Sequence, residues 1–438
     1  MTDSNPKADI KRVDPTMNPS KANPKLSKEQ QQVFIDANTP RRNDPEATSW
    51  HDTVYQILSS TWLVSVLSVV FAFIIGGILI IAANAEVHVA AEHFTENPGG
   101  FFAVCWDTFA KAYFSLFSGS VLNFNGADFA KMIEPLTSTL TRATPLIFAG
   151  LGLAVGFKAS LFNIGGQGQI VMGALLSALI GFSFDLPAGL LLPMCVIGGF
   201  VGGAFWGFIP GILKAKTQAN EVIVTIMLNY VALNFIRWAL LNPVYQKEGQ
   251  NVPIAKPMSE NAIYPKVFGA AFTTNFSFIV ALIAVAVVWW LVNRSYLGFE
   301  MRAVGLNPFA AQNAGIKVNS IYLWTMIISG GLCGLAATSS VLVPGTGVSQ
   351  DVASTFGFDA ITVALLGRSN PIGTCLAAIL FGALKAGGYV MQAQTQTPID
   401  VVQIIQALVV MFIAAPPLVR KIFHLPQPIG KDILEEVA

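Results

Sequence analysis

The sequence predicts an all-α, polytopic membrane protein with about ten transmembrane helices, short broken helices near its centre and both termini cytoplasmic. Three observations carry this. The first is composition: of 438 residues, 53% are hydrophobic and 12% charged, where a soluble domain carries roughly a quarter charged residues. The second is the recurrence of apolar runs of the length that lipid demands, roughly 20 residues for about 30 Å of hydrocarbon. The third is the sorting of lysine and arginine between alternate loops.

Residues 1–58 are a different material, rich in Lys, Asp, Asn and Pro and lacking the apolar core of a secretory signal. Such a segment cannot bury enough surface to offset chain entropy, and it is predicted to be a disordered cytoplasmic tail. The transmembrane domain then occupies 59–423, followed by a second cytoplasmic tail, 424–438. Its runs are Leu63–Ala83, Thr144–Phe157, Ile164–Phe182, Gly189–Leu213 and Val222–Leu241, then Phe278–Val292, Ile321–Val343, Phe358–Leu366, Ile372–Val390 and Val401–Val419. Two of them, Thr144–Phe157 and Phe358–Leu366, are shorter than a full crossing. Within the long outer loop 84–143, the stretch Phe101–Phe117 is aromatic but interrupted by Asp107 and Lys111, which suits an interfacial helix.

Orientation follows from charge. With the amino terminus inside, the inner segments hold 18 Lys and Arg residues, eight of them in the tail, and the outer loops hold six. Positive charge gathers on the cytoplasmic side, so both termini are read as cytoplasmic. Arg237 and Lys385 are left near helix ends.

The run Gly189–Leu213 carries Gly199, Gly203, Gly207 and Gly211 at four-residue spacing. Glycines at that period leave a groove on one helix face, and in lipid a groove lets a neighbouring backbone approach closely. Val222–Leu241 has Glu221, Thr225, Asn229 and Arg237 on one face, so that face looks inward, either as interhelical glue or toward a polar path. Two places combine a short apolar run with glycine or proline: Phe157–Gln169 and Leu366–Gly373. Broken helices of this kind present backbone and amide groups to a solute. Asp359 in the short run Phe358–Leu366 is read as a helix cap or a solute contact, since a charge at membrane depth is either paired or functional. Candidate solute contacts are therefore Asn163, Gln167, Asn229, Asp359 and Thr362.

Several chemistries are excluded. The chain has no phosphate-binding loop and no His-Glu-x-x-His, and its four histidines and four cysteines are scattered. No metal site, resident cofactor or catalytic residue is expected. A net charge of +1 offers no basic field for nucleic acid.

Four strings, in order, carry a resemblance: LFNIGGQGQ at 161–169, NEVIVTIMLNY at 220–230, GLNPFAAQNAGI at 305–316 and FGFDAITVALLG at 356–367. Over Leu136–Val419 the chain resembles the permease subunits of bacterial ABC importers for nucleosides and simple sugars, relatives of the ribose and branched-chain amino-acid permeases. Where that family often carries Glu, this chain has Gln167. The resemblance implies an inward-transporting permease of the plasma membrane that does no chemistry itself. It also implies its partners: an ATP-binding cassette ATPase that holds ATP and Mg, a second permease subunit in a heterodimer, and an extracytoplasmic solute-binding protein. The loop 294–320, with a short helix of small residues over Pro308–Gly315, then corresponds to the coupling loop. Gly305, Asn307, Ala310, Ala311, Ala314 and Gly315 are its candidate ATPase contacts, the three alanines forming one smooth face. Nucleosides are the implied solute, with a simple sugar such as ribose as the alternative. The other class weighed is an ion-coupled secondary transporter, which would need intramembrane carboxylates beyond Asp359.

Overall fold

In the computed structural model the described residues are 61–425, except 125, 127, 248, 250, 251, 268, 270, 271, 346, 396 and 399. The tail 1–58 and all but the start of the tail 424–438 lie outside them. Among the described residues there are fifteen α-helices and no strand. The first seven are α1 (Thr61–Ala83), α2 (Ala85–Glu92), α3 (Pro98–Ser120), α4 (Phe129–Lys158), α5 (Gly166–Ser183), α6 (Ala188–Thr217) and α7 (Glu221–Leu240). Then come α8 (Ser277–Arg294), α9 (Tyr296–Leu306), α10 (Pro308–Asn313) and α11 (Val318–Val341). Last are α12 (Phe356–Leu366), α13 (Pro371–Thr395), α14 (Asp400–Ala414) and α15 (Pro416–Ile422).

Eight of these are long and apolar enough to cross a membrane: α1, α4, α5, α6, α7, α8, α11 and α13. Two more, α12 and α14, are apolar but shorter. All ten expected runs thus fall on helices, with two changes of shape. Thr144–Phe157 is no short span but the second half of the 30-residue α4, whose first half is too polar to show in an apolar scan. The run Val401–Val419 breaks at Ala415 into α14 and α15, ahead of the two prolines that follow. The segment expected to hold an interfacial helix forms the 23-residue α3, which starts at the Asn97 cap and Pro98 and packs along α13.

Local chemistry sets where the helices begin. Asn84, Asn97, Asn220, Ser295 and Asn307 each accept a backbone N–H from the first turn of the helix that follows. Each supplies one of the missing acceptors at a helix start.

The core is assembled around α4, α5, α6 and α11. Lipid offers no hydrophobic drive for helices to associate, so close backbone packing must do it. The glycine stripe of α6 supplies that packing: a Cβ on Gly203 would lie 2.2 Å from the Gly330 carbonyl oxygen, and one on Gly334 would lie 2.1 Å from that of Gly199. Gly202, on the neighbouring face, is close to α5 instead, 2.6 Å from the Met172 oxygen by the same measure. The second half of α4, from Leu146 to Val155, is buried in the same core. A smaller cluster joins α1, α3, α13 and α14, where the rings of Phe71 and Phe412 lie 4.9 Å apart. Above one end of the core, the connection between α7 and α8 folds back so that the Tyr264 hydroxyl meets that of Thr338 at 3.2 Å. Burial pushes the Tyr264 phenol up to about 12.

The glycine contact makes a sharp prediction. Gly203→Ala forces α6 and α11 apart and costs about 1–3 kcal/mol, as overpacking does, whereas Gly189→Ala, which meets nothing within 4 Å, leaves stability unchanged. Thermal unfolding of the two variants in detergent checks this; equal melting temperatures would contradict it.

Candidate functional site

Between α4 and α5 the chain is irregular from Ala159 to Gly165, and a non-helical stretch inside a bundle must find partners for its backbone. Neighbouring side chains provide them. Asn229 of α7 accepts from the Gly168 N–H at 2.8 Å and donates to the Ile164 carbonyl at 2.9 Å. The Ile164 N–H reaches the Thr225 hydroxyl at 3.3 Å. Asn163 accepts from the Gly165 N–H and donates to both Gln169 and the Ser329 hydroxyl of α11, each at 2.9 Å.

Gln167 makes the link to α12. Its amide donates to the Ser354 carbonyl and accepts from the Gly357 N–H at 3.1 Å. Asn163, Gln167 and Asn229, expected from the sequence to meet a solute, thus spend their amides inside the chain and are 1%, 7% and 4% exposed. They hold the broken region together.

Asp359 is different. It stands in the first turn of α12, yet it caps no backbone N–H. Its Oδ2 pairs with the Lys385 ammonium of α13 and accepts from the Thr355 hydroxyl at 2.6 Å. Lys385 also donates to Thr355 at 2.9 Å and stands 5.0 Å from the centre of the Phe356 ring. Thr362 turns its hydroxyl to the Asp359 carbonyl at 2.6 Å and remains half-buried. The side chains of Lys385 and Asp359 are 18% and 22% exposed, so this pair, unlike the amides, opens to the surface. Lys385 lies near the middle of the 25-residue α13 and not at its end. The sequence signal for it was the rule that a charge at membrane depth has a partner.

The other group of expected residues sits where α9 and α10 meet. Asn307 caps α10 through the N–H groups of Phe309 and Ala310, both at 3.0 Å. Gly305 lies so close to the end of α4 that a Cβ there would be 2.2 Å from the Lys158 carbonyl oxygen. Beside it, the Ser160 hydroxyl donates to the Gly305 carbonyl at 2.7 Å. Ala310, Ala314 and Gly315 are exposed, but Ala311 is turned inward at 4%. The three alanines therefore do not form one docking face, because a single-turn helix laid on the bundle must bury one of its sides. What projects instead is apolar and bulky: Leu306 is 89% and Phe309 78% exposed. Phe309 borders a groove of about 560 Å³ lined also by Gln218, Gln312, Lys317 and Tyr322. On this same end, Lys214 of α6 pairs with Glu221 of α7 at 2.8 Å.

A comparison with protein families matches residues 136–414 to the branched-chain amino acid transport system / permease component family. Among individual proteins, the guanosine ABC transporter permease protein NupP of Bacillus subtilis is 38% identical over 64% of this chain and 81% of its own length. The nucleoside ABC transporter permease protein NupB of Lactococcus lactis is 34% identical over 80% of this chain and 90% of its own. The glucose ABC transporter permease protein TsgB13 of Haloferax volcanii is 34% identical over 64% and 75%. No solved structure matches.

The amide ties predict the effect of losing one. Asn229→Ala leaves the Gly168 N–H and the Ile164 carbonyl without their partner, at about 1–3 kcal/mol for each orphaned group. Thermal unfolding in detergent should drop accordingly, and a variant as stable as the parent would show that the loop is held elsewhere.

Proposed function

The chain belongs to the branched-chain amino acid transport system / permease component family, and from that membership we propose that it carries nucleosides inward as the permease of an ATP-driven importer. The support for the solute is that NupP and NupB, with names that specify guanosine and nucleoside transport, match it over most of their length. TsgB13 keeps a sugar as the second reading. The protein is a multi-pass protein of the plasma membrane, and its end bearing Lys158, Lys214, Lys216, Arg294 and Lys317 is the cytoplasmic one by the distribution of positive charge.

In this reading a separate ATPase subunit binds ATP and Mg, and it docks on the α9–α10 loop. The single observation that carries the docking assignment is the exposed Phe309 beside its groove: an aromatic side chain open to water at a membrane protein's cytoplasmic end is an anchor awaiting a pocket. Asn307 shapes the short helix that presents Phe309, with Ala310, Ala314 and Gly315 around it. Gly305 seats the loop on α4. A second permease completes the membrane part, and an extracytoplasmic binding protein delivers solute from the opposite end. Transport itself is an alternation between two packings, biased by nucleotide on one side and by the loaded receptor on the other. Asp359 and Thr362 face the solute path, and Asn163, Gln167 and Asn229 frame it.

Reconstitution tests this. Proteoliposomes holding this chain, its partner permease and the ATPase should accumulate guanosine when receptor and ATP are supplied. Accumulation driven by an ion gradient without the ATPase would overturn the reading in favour of a secondary transporter. Phe309→Asp should lower uptake on the order of tenfold or more, the loss expected for an interface anchor, while leaving membrane insertion intact. Undiminished uptake in that variant would remove the docking assignment.

A further inference from the structure

Two charged pairs among the described residues join apolar helices: Lys214–Glu221 ties the last turn of α6 to the first residue of α7, whereas Asp359–Lys385 ties α12 to the interior of α13. Two features separate the second pair from a structural clasp. It is open on one side, whereas a clasp in lipid would be sealed, because an exposed charge facing hydrocarbon is costly. The face of α12 and α13 that bears it must therefore look onto water or protein.

The second feature is valence. Oδ2 of Asp359 receives both the Lys385 ammonium and the Thr355 hydroxyl, and no described group donates to Oδ1. The Lys385 ammonium has three N–H bonds, of which two are engaged, by Asp359 and by Thr355. One carboxylate oxygen and one ammonium N–H are thus left without a hydrogen-bond partner among the described residues, with the Phe356 ring 5.0 Å from the ammonium. Their charges cancel, so the site exerts no net pull on an ion. It does match a group that donates and accepts at neighbouring atoms.

We infer that Asp359, Lys385 and Thr355 form a contact site for a neutral, hydroxyl-bearing solute, Asp359 accepting from one hydroxyl and Lys385 donating to its neighbour. The inference rests on the importer reading above and deepens it: the recognised part is a vicinal diol, such as that of a ribose, and not the base. Lys385 is thereby a specificity-determining residue that fixes the Asp359 side chain in place. A carboxylate alone would favour a cation, and an ammonium alone an anion.

The test is ATP-driven uptake by the complete transporter in proteoliposomes, with receptor saturated in turn by guanosine and by 2′,3′-dideoxyguanosine. The variants are Asp359→Asn with Lys385→Gln, which keeps the site uncharged overall, and the exchange Asp359→Lys with Lys385→Asp, which keeps the pair. Wild type should carry guanosine roughly ten- to hundredfold faster than the dideoxy compound, the worth of hydrogen bonds to charged groups. The neutral double variant should lose that preference while still inserting and hydrolysing ATP, and the exchange should recover part of it. Equal slowing of both solutes in the neutral variant, or an unchanged preference, would overturn the inference and leave the pair a clasp. Failure of the wild type to carry either compound would instead overturn the nucleoside reading. In that event the same variants are compared on glucose against 2-deoxyglucose, where loss of the preference again supports the site and its retention overturns it.

Discussion

The bare backbone contact between α6 and α11 is the constraint on which the other contacts rest. A side chain at Gly203 or Gly334 would collide with the opposite main chain, so the two helices approach here only because both positions are glycine. In lipid this replaces the burial of apolar surface that orders a soluble core. Everything around the broken segment follows from it. Ser329 of α11 reaches Asn163, and Gly173 of α5 is wedged against both Gly334 and Gly199. Were the helices separated by one methyl group, the loop 159–165 would lose its floor.

A second constraint is that no backbone group at membrane depth can be left to water. The loop 159–165 meets it with amide side chains, each of which gives and receives at once. Asn229 and Asn163 do so within the loop, and Gln167 does so across to α12. That choice explains why Asn163, Gln167 and Asn229 stand at buried places where a hydrophobic residue would be cheaper. It also separates two kinds of polarity that look alike in a sequence: groups satisfied within the protein, and the Asp359–Lys385 pair, which is satisfied only in part.

This distinction marks the boundary of what the sequence could reveal. Helices were legible as apolar runs, and the four-residue glycine period announced the α6 groove before any partner was known. The class of protein was legible in four strings. The roles of Asn163, Gln167 and Asn229 were not, because their partners lie up to 190 residues away and local spacing carries no record of them. Ala311 misled for a different reason: a run of small residues on a short helix does not say which side meets the bundle. The length of α4 was hidden by its polar first half, Glu134, Thr137, Ser138 and Thr139. Lys385 was discounted as a helix-end residue although it stands in mid-helix, one turn from the Tyr389 ring over which Arg142 lies.

The same contacts determine how the two ends of the molecule can influence one another. Phe309 stands on a loop whose Gly305 touches Lys158 and Ser160. From there the chain runs directly into the segment held by Asn163 and Asn229, and Gln167 carries the contact to the start of α12, two residues before Asp359. Contiguity alone transmits nothing; an element with two arrangements does. The helix α12 has the construction for it: eleven residues long, tied at its start to α5 by one glutamine and to α13 by one ion pair, and ending in a turn where Gly367 lies against Gly373 and Thr374. Along its length Ala360, Val363 and Ala364 are buried in the core, Val363 against Gly150 of α4, so a shift of α12 would have to carry that contact with it. On the function proposed above, displacement of the α9–α10 loop by a docked ATPase would act on the Asp359–Lys385 pair through α5, and a solute held by that pair would act back on the loop with the same free energy, since coupling between two binding sites is reciprocal.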